Sequence, residues 1–579
     1  MISLNNAQSA MLAGEQGVAR QMAMRLILDL AAAANATELI PIQSAHLSGV
    51  SPLTGGLGLR LFLQKLIQDT QAQVAVPTTL NSAGCDLNQF DLMRIAVPDF
   101  KAQSEEIVAA YVKLGVRPTQ SCTPYEWDGV VISGNAAWAE SNAICYGNSY
   151  TGLLTNRESG LSALASALTG YTPRYGLLDE THRHPNLAVI VTTKLEDPTD
   201  FSLLGDWIGK QRQSSWRMPY GPIPAIKGLP TELSHEQKKA LTAAAANYGC
   251  PLLYLDNSGP RPPAEFQDRL LFGEKELQER YTALRPQQPI SLIVIGCPQA
   301  SIGEIKAVAE QLRGRRVEAI PLWVFTSSQN KTIAEKLGLA DIIRDSGALL
   351  LENTCPEVVP YDPTWVKHIL TNSMKAEHYI KSGLNGIPTS VMRLSDCLAL
   401  ATGTQTLAPE TPTSPSGSVR PPKTTALHHS PPPIPPTPTT PSTFTGSGLP
   451  SQGDFIITGE AFITETPITF LGFVNRDNGV IEEEGHPANG QSMAGKIAIF
   501  PKGSGSTVAP YVLLELYYKG VAPVAIVNTD LDQQSAPACS LEGIPYAYNF
   551  PTHIFQTIFS GDRVELRRQG EQVTLRPLV

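Results

Sequence analysis

A proline-rich segment divides this chain into a large part and a small part. The stretch from Pro409 to Pro450 holds 13 prolines in 42 residues, out of 47 in the 579-residue chain. Residues 430–441 read SPPPIPPTPTTP and show no apolar period that a core could bury. Proline lacks a backbone donor and favours extended polyproline II, so we predict a semi-rigid linker over residues 404–451. A proline-rich ligand for a partner domain is the alternative interpretation.

The part before the linker has the pattern of an α/β protein. Its 403 residues exceed one comfortable hydrophobic core, and we expect two α/β lobes in residues 1–403. Short β-rich runs alternate with helical patterns, which is typical of parallel sheets. Helical patterns fall at residues 19–34, 103–114, 160–168, 234–247, 302–312 and 365–373. Strand patterns fall at residues 73–77, 129–132, 188–193, 291–295 and 318–324.

The part after the linker, residues 452–579, is richer in strand patterns. These fall at residues 454–464, 468–472, 496–500, 523–527 and 546–550. One helical pattern, residues 508–519, follows the glycine-serine turn at 503–506. We therefore predict a compact β-rich domain with one helix packed on it.

Composition argues against several classes of function. The chain has 44 Lys and Arg against 53 Asp and Glu, a net charge of −9, which argues against a nucleic-acid partner. No apolar run reaches the ~18 residues that a membrane helix needs. Residues 22–34 carry Arg25 and Asp29 at helical spacing, which indicates an amphipathic helix rather than an export signal. Eight cysteines are too few for a disulfide scaffold in so long a chain, so we expect cytoplasmic thiols or metal ligands.

Three cysteines occupy loop-like positions next to predicted elements. Cys297 and Cys355 each follow a strand-like run and precede proline, and Cys122 begins the sequence Cys-Thr-Pro-Tyr after a predicted helix. Such thiols can converge on iron or zinc at the carboxyl edge of a sheet. Three separate buried cysteines are the alternative. We interpret Cys145, Cys250, Cys397 and Cys539 as structural and leave Cys85 open.

The turn before the C-terminal helix is a candidate anion site. Ser506 lies in the sequence Gly-Ser-Gly-Ser-Thr, where the free amides and the positive end of a helix attract negative charge. A hydroxyl held by such amides can act as a base. Simple capping of the helix by Ser506 or Thr507 is the alternative, and no phosphate-binding Gly-Lys-Ser/Thr pattern is present in the sequence.

Polar side chains elsewhere supply further candidates. His46 lies between hydroxyl residues after an apolar run, either as a functional group or as a satisfied loop histidine. Arg157 can hold a carboxylate with two hydrogen bonds or pair with Glu158 at the surface. Lys375 and His378 are three residues apart and can share one helix face.

Taken together, these stretches resemble the aconitase X family, a divergent branch of the aconitase superfamily, over nearly all of the chain outside the linker. The matching stretches in the large part are SAHLSG at 44–49, VPTTLNSAG at 76–84, CTPY at 122–125, AESNA at 139–143, TNRE at 155–158, ALTGYTP at 167–173, GCP at 296–298, NTC at 353–355 and TNSMKAEHY at 371–379. The C-terminal part resembles the family's swivel domain through HP at 486–487, GQ at 490–491, AGK at 494–496, GS at 505–506 and YVL at 511–513.

The resemblance implies an iron or iron–sulfur centre on Cys122, Cys297 and Cys355, with Ser506 of the swivel domain as the base. It also implies that swivel closure assembles the site. Two positions depart from the family pattern. Ser504 replaces an arginine, which puts a substrate-carboxylate contact in doubt. Gln299 replaces a histidine that follows Gly-Cys-Pro, which puts in doubt a residue that would support the metal ligands from behind.

The activity implied is a hydro-lyase that dehydrates cis-3-hydroxy-L-proline, a small hydroxy acid, to Δ1-pyrroline-2-carboxylate. The catalytic candidates are Ser506, His46 and Lys375. The substrate-binding candidates are Ser48, Asn156, Arg157, Ser373, His378 and Gly505. Dehydration of mevalonate 5-phosphate and a non-catalytic iron-binding or RNA-binding homologue are the alternatives, although the charge argues against RNA.

Overall fold

Three parallel sheets lie within the described residues before the linker, and the division of residues 1–403 into two lobes stays a prediction. The computed structural model describes residues 2–211, 220–255, 269–382, 384–406 and 443–578. Most of the predicted linker, residues 407–442, lies outside the described residues. The sheets have four, four and five strands, and a separate two-stranded ladder joins Leu39–Pro41 to Tyr171–Pro173. The α/β prediction for this part of the chain is confirmed.

The first sheet lies in the N-terminal third of the chain. Its strands, in spatial order, are Thr78–Leu80, Ser44–Leu47, Gly134–Trp138 and Leu153–Leu154. All neighbouring pairs are parallel, so each connection crosses over the sheet, usually through a helix. The α-helices of this part are Asn6–Ala13, Val18–Ala33, Pro52–Leu66, Phe90–Met93, Phe100–Lys113, Ser141–Tyr150 and Gly160–Thr169.

The second sheet follows in the chain. Its parallel strands, in spatial order, are Arg269–Phe272, Leu187–Val191, Pro224–Lys227 and Tyr254–Leu255. The accompanying α-helices are Pro198–Gln211, His235–Ala246 and Glu274–Leu284. A capping box begins His235–Ala246, in which Ser234 and Gln237 satisfy each other's backbone amides.

The third sheet places two of the predicted metal ligands. Its parallel strands, in spatial order, are Leu349–Glu352, Leu322–Thr326, Leu292–Ala300, Ile369–Thr371 and Thr389–Val391. Its α-helices are Ile302–Leu312, Ser328–Lys336, Leu339–Asp345, Met374–Lys381 and Leu394–Ala401. Every residue of the central strand is buried, as expected for a parallel sheet that is covered on both faces.

The C-terminal domain is a closed barrel. Its strands, in spatial order, are Phe444–Gly448, Tyr546–Tyr548, Ala525–Asn528, Ile497–Phe500, Phe455–Ile463, Arg563–Gln569 and Gln572–Pro577. Its α-helices are Phe470–Phe473, Ala509–Tyr518 and Ser535–Glu542. The first strand lies before the predicted domain start at residue 452. The sequence pattern hid this strand, because Thr-Gly-Ser-Gly after its single phenylalanine carries no apolar alternation.

The barrel packs on the large region through one close helix contact. The helix Ala509–Tyr518 lies against Pro52–Leu66, and a Cβ atom at Gly58 would overlap the backbone of Tyr511. Glycine is required there because the two helix backbones approach each other closely. One hydrophobic cluster contains both Leu59 and Tyr511, so the two parts share a continuous core.

The helices of the molecule are short. The longest described helix, Val18–Ala33, has 16 residues, fewer than the ~20 that usually cross a bilayer. Leu26, Ile27 and Leu30 on this helix are buried in the core. Within the described ranges, no helix combines the length and apolar character of a membrane span.

Candidate active site

A pocket lies at the junction of the large region and the barrel. Its lining consists of Ser48, Gly49, Val50, Thr54, Asn81, Ser82, Cys122, Glu140, Ser141, Cys355, Glu357, Val358, Lys375, Tyr379 and Leu384 from the large region, with Leu471, Ser506, Thr507 and Val508 from the barrel. Both parts of the chain supply polar groups to it. The complete pocket therefore exists only when the barrel is docked.

The three predicted metal ligands lie around one edge of the third sheet. Cys297 is near the carboxyl end of the strand Leu292–Ala300, and Cys355 follows another strand of that sheet. Parallel strands end at the same edge, which brings these loops together. Cys122 reaches them from outside the sheet, and its Sγ accepts a hydrogen bond from the backbone N–H of Gln299 at 3.3 Å. Cys122 and Cys355 line the pocket, whereas Cys297 lines a second, smaller cavity.

The thiols are buried and influence each other's charge. Cys297 Sγ donates a hydrogen bond to Glu357 Oε1 at 2.9 Å. Burial raises the pKa of Cys122 to about 12. Burial, with the nearby Glu357 carboxyl group, raises the pKa values of Cys297 and Cys355 well above that of an ordinary thiol. These thiols hold their protons unless a cation takes the place of the protons.

The donor set suits an iron centre in its chemistry. Thiolate ligands favour iron–sulfur clusters and zinc, and all three buried thiols lie close enough to Glu357 to feel its charge. In the part of the chain that the structure describes, no group of three or more His, Cys, Asp or Glu side chains is arranged as a formed metal site. The assignment of Cys122, Cys297 and Cys355 as metal ligands stays a prediction.

Lys375 forms the centre of a buried polar network in the pocket wall. Its side chain is 2% exposed, and its Nζ donates to Glu140 Oε1 at 2.7 Å and to Asn142 Oδ1. The same Nζ lies 3.3 Å from Glu357 Oε1. Asn81 Nδ2 donates to the second oxygen of Glu140 at 2.6 Å. The network presents one ammonium group between two carboxyl groups.

Electrostatics separate the two carboxyl groups of this network. Burial disfavours the charge on Lys375, but Glu140 and Glu357 together outweigh it and hold the lysine pKa well above its ordinary value. Burial also opposes the charge on Glu140, yet Lys375 prevails and the Glu140 pKa is lowered. For Glu357, burial and the Glu140 charge raise the pKa despite Lys375. A charged Lys375–Glu140 pair with a carboxyl group beside it results.

Ser506 lies on the barrel side of the pocket. Its Oγ accepts a hydrogen bond from the backbone N–H of Val508 at 3.4 Å. The helix Ala509–Tyr518 begins directly afterwards, with Val508 rather than Ser506 or Thr507 at the N-cap position. Simple side-chain capping, the alternative drawn from the sequence, is therefore not what this serine does.

The large region holds the loop around Ser506 through its backbone. Arg157 Nη2 donates to the carbonyl oxygen of Gly505 at 3.1 Å. The backbone N–H of Gly160 donates to the carbonyl oxygen of Thr507 at 3.0 Å. Ser48, which also lines the pocket, places its Oγ 3.4 Å from Thr507 Oγ1. These contacts cross the boundary between the two parts of the chain.

The two candidate histidines lie outside the lining of the pocket. His46 is fully buried in its strand, and its Nδ1 lies 2.8 Å from Thr79 Oγ1. The ring of His378 packs edge-on against Tyr248 and Tyr379. Burial lowers the pKa of each histidine to about 4, so both are neutral near pH 7.

Two further candidates organise the backbone around the site. Asn156 donates to the carbonyl oxygen of Tyr175 at 3.2 Å and accepts from the N–H of Leu177 at 2.8 Å. Ser373 caps the helix that carries Lys375 and accepts from the Lys375 N–H at 3.2 Å. Ser373 lines the second cavity rather than the first. Substrate binding by these residues stays a prediction.

Sequence reasoning missed three polar residues in the pocket wall. Glu140, Glu357 and Asn81 all line the pocket and bond within the network described above. The signals were present, because Glu140 lies within the stretch AESNA and Glu357 comes two residues after Cys355. No spacing rule linked them to Lys375, since their proximity depends on how two sheets pack together.

Comparison with known proteins identifies similar families and folds. Family models of the aconitase X first domain, third domain and swivel domain match residues 1–181, 290–403 and 451–575. The crystal structure of Thermococcus kodakaraensis aconitase X in its holo form superposes with a TM-score of 0.62 at 31% identity. The match covers 69% of this chain and all of that chain.

Curated relatives carry the names of two dehydratases. The phosphomevalonate dehydratase large subunit of Methanosarcina mazei is 35% identical over 410 residues, 69% of this chain and 97% of the relative. The cis-3-hydroxy-L-proline dehydratase of Pseudomonas aeruginosa is 31% identical over 418 residues, 69% of this chain and 70% of the relative. The phosphomevalonate dehydratase small subunit of Archaeoglobus fulgidus is 40% identical over 117 residues, 20% of this chain and 88% of the relative.

Proposed function

This chain belongs to the aconitase X family of hydro-lyases, and we propose that it dehydrates cis-3-hydroxy-L-proline to Δ1-pyrroline-2-carboxylate. One observation carries the proposal. Ser506 of the barrel lines the same pocket as Lys375, Cys122 and Cys355 of the large region. The Ser506 hydroxyl, which can accept a proton as the alkoxide, thus lines one cavity together with the Lys375 ammonium group and two predicted metal ligands.

The substrates named for the relatives share one reacting unit. In both 3-hydroxyproline and mevalonate 5-phosphate, the carbon next to a carboxylate carries a proton and the following carbon carries a hydroxyl. Elimination removes that proton and that hydroxyl as one water. The proton is weakly acidic and hydroxide is a poor leaving group, so the enzyme must assist both ends.

In the proposed step, Ser506 Oγ as the alkoxide takes the C2 proton. The electron pair of the C2–H bond forms the C2=C3 double bond while the C3–O bond breaks and its electron pair leaves with the hydroxyl as hydroxide. The proton taken by Ser506 passes to this hydroxide, which releases one water and restores the alkoxide, and the resulting enamine rearranges to the Δ1-imine. The N–H of Val508 and the N-terminal end of the helix Ala509–Tyr518 favour negative charge on Oγ. Lys375 balances the negative charge that builds up on the substrate carboxylate.

The thiol side of the pocket is proposed to hold the cofactor. An iron or iron–sulfur centre on Cys122, Cys297 and Cys355 would supply Lewis-acid activation of the leaving hydroxyl.

The eight cysteines are all unpaired, which supports a reducing compartment such as the cytoplasm.

The charge of the pocket supports a substrate with a single anionic group. Among the described residues that line it, Lys375 is the only cation, and it lies between Glu140 and Glu357. One carboxylate can be balanced there. A phosphate group would add about two further negative charges beside two carboxyl groups.

Mevalonate 5-phosphate is the second candidate substrate, and the identity of the relatives favours it. Two large subunits named for that activity, from Methanosarcina mazei and Thermococcus kodakarensis, are 35% and 33% identical over 97% and 95% of their own lengths. The 3-hydroxyproline dehydratases are 32% and 31% identical over 66% and 70% of theirs.

A direct turnover assay tests the proposal. The full chain is purified without oxygen, reconstituted with iron and sulfide, and incubated separately with cis-3-hydroxy-L-proline and mevalonate 5-phosphate. We expect loss of one water from cis-3-hydroxy-L-proline by mass spectrometry, and no such loss for the Ser506→Ala variant. Turnover of mevalonate 5-phosphate alone would replace the proposed substrate. An iron-loaded protein inactive on both would indicate a non-catalytic homologue.

A further inference from the structure

Gln299 lies at the centre of the cysteine-bearing loops, although an amide side chain has no reactive chemistry of its own. It follows Cys297 by two residues in the strand Leu292–Ala300 and is fully buried. The resemblance implies that this position supports the metal ligands in the family, and the change from histidine to Gln299 put that role in doubt. Its contacts assign it a more specific role.

The Gln299 side chain and backbone bind to all the loops that carry a predicted ligand. Its Nε2 donates to the carbonyl oxygen of Thr354 at 2.9 Å and to that of Gln120 at 3.1 Å. Its backbone N–H donates to Cys122 Sγ at 3.3 Å. Its carbonyl oxygen accepts from Lys239 Nζ at 2.8 Å, and Lys239 is itself fully buried.

The two carbonyl groups that Gln299 binds belong to the other cysteine loops. Thr354 directly precedes Cys355, and Gln120 comes two residues before Cys122. Gln120 also has a φ of 47°, in the left-handed region that non-glycine residues rarely adopt without outside support. A single amide group thus joins three segments that are far apart in the sequence.

We propose that Gln299 is a positioning residue that holds the Cys122, Cys297 and Cys355 loops in the arrangement that accepts the metal centre. The identity of that centre rests on the proposed function. Loss of the amide would leave the carbonyl groups of Gln120 and Thr354 buried without a donor, which is unfavourable for both. The least costly response is for the two loops to move apart, which separates the thiols.

Lys239 fixes Gln299 from the other side. Its Nζ binds the Glu304 carboxylate and lies 3.6 Å from Glu126, so the ammonium group is neutralised within the protein. It remains available as a donor to the Gln299 carbonyl. The helix Ile302–Leu312, which carries Glu304, therefore restrains the segment that carries Cys297.

The test compares Gln299→Leu with Gln452→Leu. Gln452 in the barrel also donates its Nε2 to two carbonyl groups, those of Cys539 at 3.3 Å and Ile544 at 2.7 Å. Both variants lose two bonds to carbonyl groups, and Q452L also loses the bond that Gln452 Oε1 accepts from the Tyr546 N–H at 3.1 Å. Only Q299L loses its bonds at the loops that carry the predicted metal ligands. We measure bound iron per chain and the visible spectrum after anaerobic reconstitution. In iron-free protein we measure the alkylation rates of Cys122 and Cys355 by mass spectrometry.

We expect Q299L to lower the iron affinity about 10- to 100-fold, the usual effect of removing a partner that orients ligands. Alkylation of Cys122 and Cys355 should become faster as their loops separate and the thiols become accessible, while Q452L stays at the wild-type values for iron content and alkylation. The isosteric Gln299→Glu, which replaces the donor by an acceptor, should reproduce Q299L. Wild-type iron content and wild-type alkylation in either Gln299 variant would overturn the proposal.

Folding and function failures remain distinguishable. If both Gln299 variants fail to fold while Q452L folds, the amide supports the whole domain rather than the thiol loops, and the proposal is wrong. If the wild-type chain binds no iron, the proposed cofactor fails, but the alkylation comparison still tests the role of Gln299.

Discussion

The two walls of the pocket differ in the contacts that fix them in place. The thiol wall comprises Cys122, Glu140, Cys355, Glu357 and Lys375, and the serine wall comprises Leu471, Ser506, Thr507 and Val508. In the thiol wall, side chains bind side chains: Lys375 contacts two carboxyl groups, and Glu357 also accepts from Cys297. In the serine wall, groups of the large region donate hydrogen bonds to the backbone carbonyl groups of Gly505 and Thr507, on either side of Ser506.

This difference indicates which group is left to react. A buried network whose members are all bonded is rigid and resists rearrangement. Ser506 Oγ accepts one long hydrogen bond within the described residues, so its position is set by the backbone while its oxygen remains available. The shared hydrophobic core around Tyr511 also restrains the barrel, because large apolar interfaces limit domain motion.

The largest expected effect comes from removing the Ser506 hydroxyl from the serine wall. Ser506→Ala should reduce kcat about 10²- to 10⁴-fold, as loss of a general base does, with bound iron unchanged. Ser504→Ala is the matched control two residues away, because Ser504 Oγ bonds to Thr469 Oγ1 at 2.8 Å and does not line the pocket. Steady-state kinetics with both variants decide the matter. Equal activity in Ser506→Ala and Ser504→Ala would remove Ser506 from the mechanism.

Breaking the thiol wall at its cation should cost stability as well as activity. Lys375→Met leaves Glu140 buried without its partner, and we expect a loss of about 3 kcal/mol in the free energy of unfolding of the iron-free protein. Lys381→Met on the same helix removes an exposed lysine that pairs with the buried Glu377 at 3.4 Å, and it should cost less, about 1 kcal/mol. Urea titrations of both variants give the comparison. Similar midpoints would show that the buried network does not stabilise the fold.

The cysteines of the thiol wall, and Cys297 in the smaller cavity, were more predictable from sequence than the carboxyl groups around them. The Cys-Pro patterns after strand-like runs indicated Cys297 and Cys355, because parallel strands deliver their carboxyl ends to one edge. The helix over residues 302–312 was predicted with its observed bounds. In contrast, Glu140 joins Lys375 only through packing between sheets, which no local period encodes.

Short apolar runs account for the misplaced elements. Residues 365–373 were predicted as a helix, but Ile369–Thr371 is a strand and the helix begins at Met374, after the cap Ser373. Residues 468–472 were predicted as a strand but lead into the short helix Phe470–Phe473. Runs of this length fit either structure, and the tertiary context decides between them.

Arg157 has two possible roles that kinetics can separate: it can fix the loop of the serine wall, or it can bind the substrate carboxylate. Its guanidinium group binds the Gly505 carbonyl, so we expect Arg157→Leu to displace the Ser506 loop and lower kcat about tenfold with little change in KM. If Arg157 instead binds the substrate carboxylate, KM should rise by a similar factor. Arg174→Leu, which removes an exposed pair with Glu38, serves as the control and should leave both constants unchanged.

The smallest expected effect concerns Asp29, which joins the large region to the barrel away from the pocket. Asp29 is buried and accepts hydrogen bonds from the N–H of Ser451 at 2.8 Å and from the hydroxyls of Ser451 and Ser540. Burial raises its pKa, although these hydrogen bonds favour the charged form. The folded protein therefore binds this proton more tightly than the unfolded chain does. Its contribution to stability is fully present below the unfolded pKa and is lost as the pH rises through the folded pKa.

Asp29→Asn cannot ionise, so its Tm should rise relative to the wild type as the pH increases from about 4 towards neutrality. Ser540→Ala removes a hydrogen bond that favours the charged form, so the Tm of this variant should fall more steeply than that of the wild type over the same range. Thermal unfolding at several pH values measures both differences. A Tm difference between wild type and Asp29→Asn that is constant with pH would show that Asp29 ionises equally in the folded and unfolded chains.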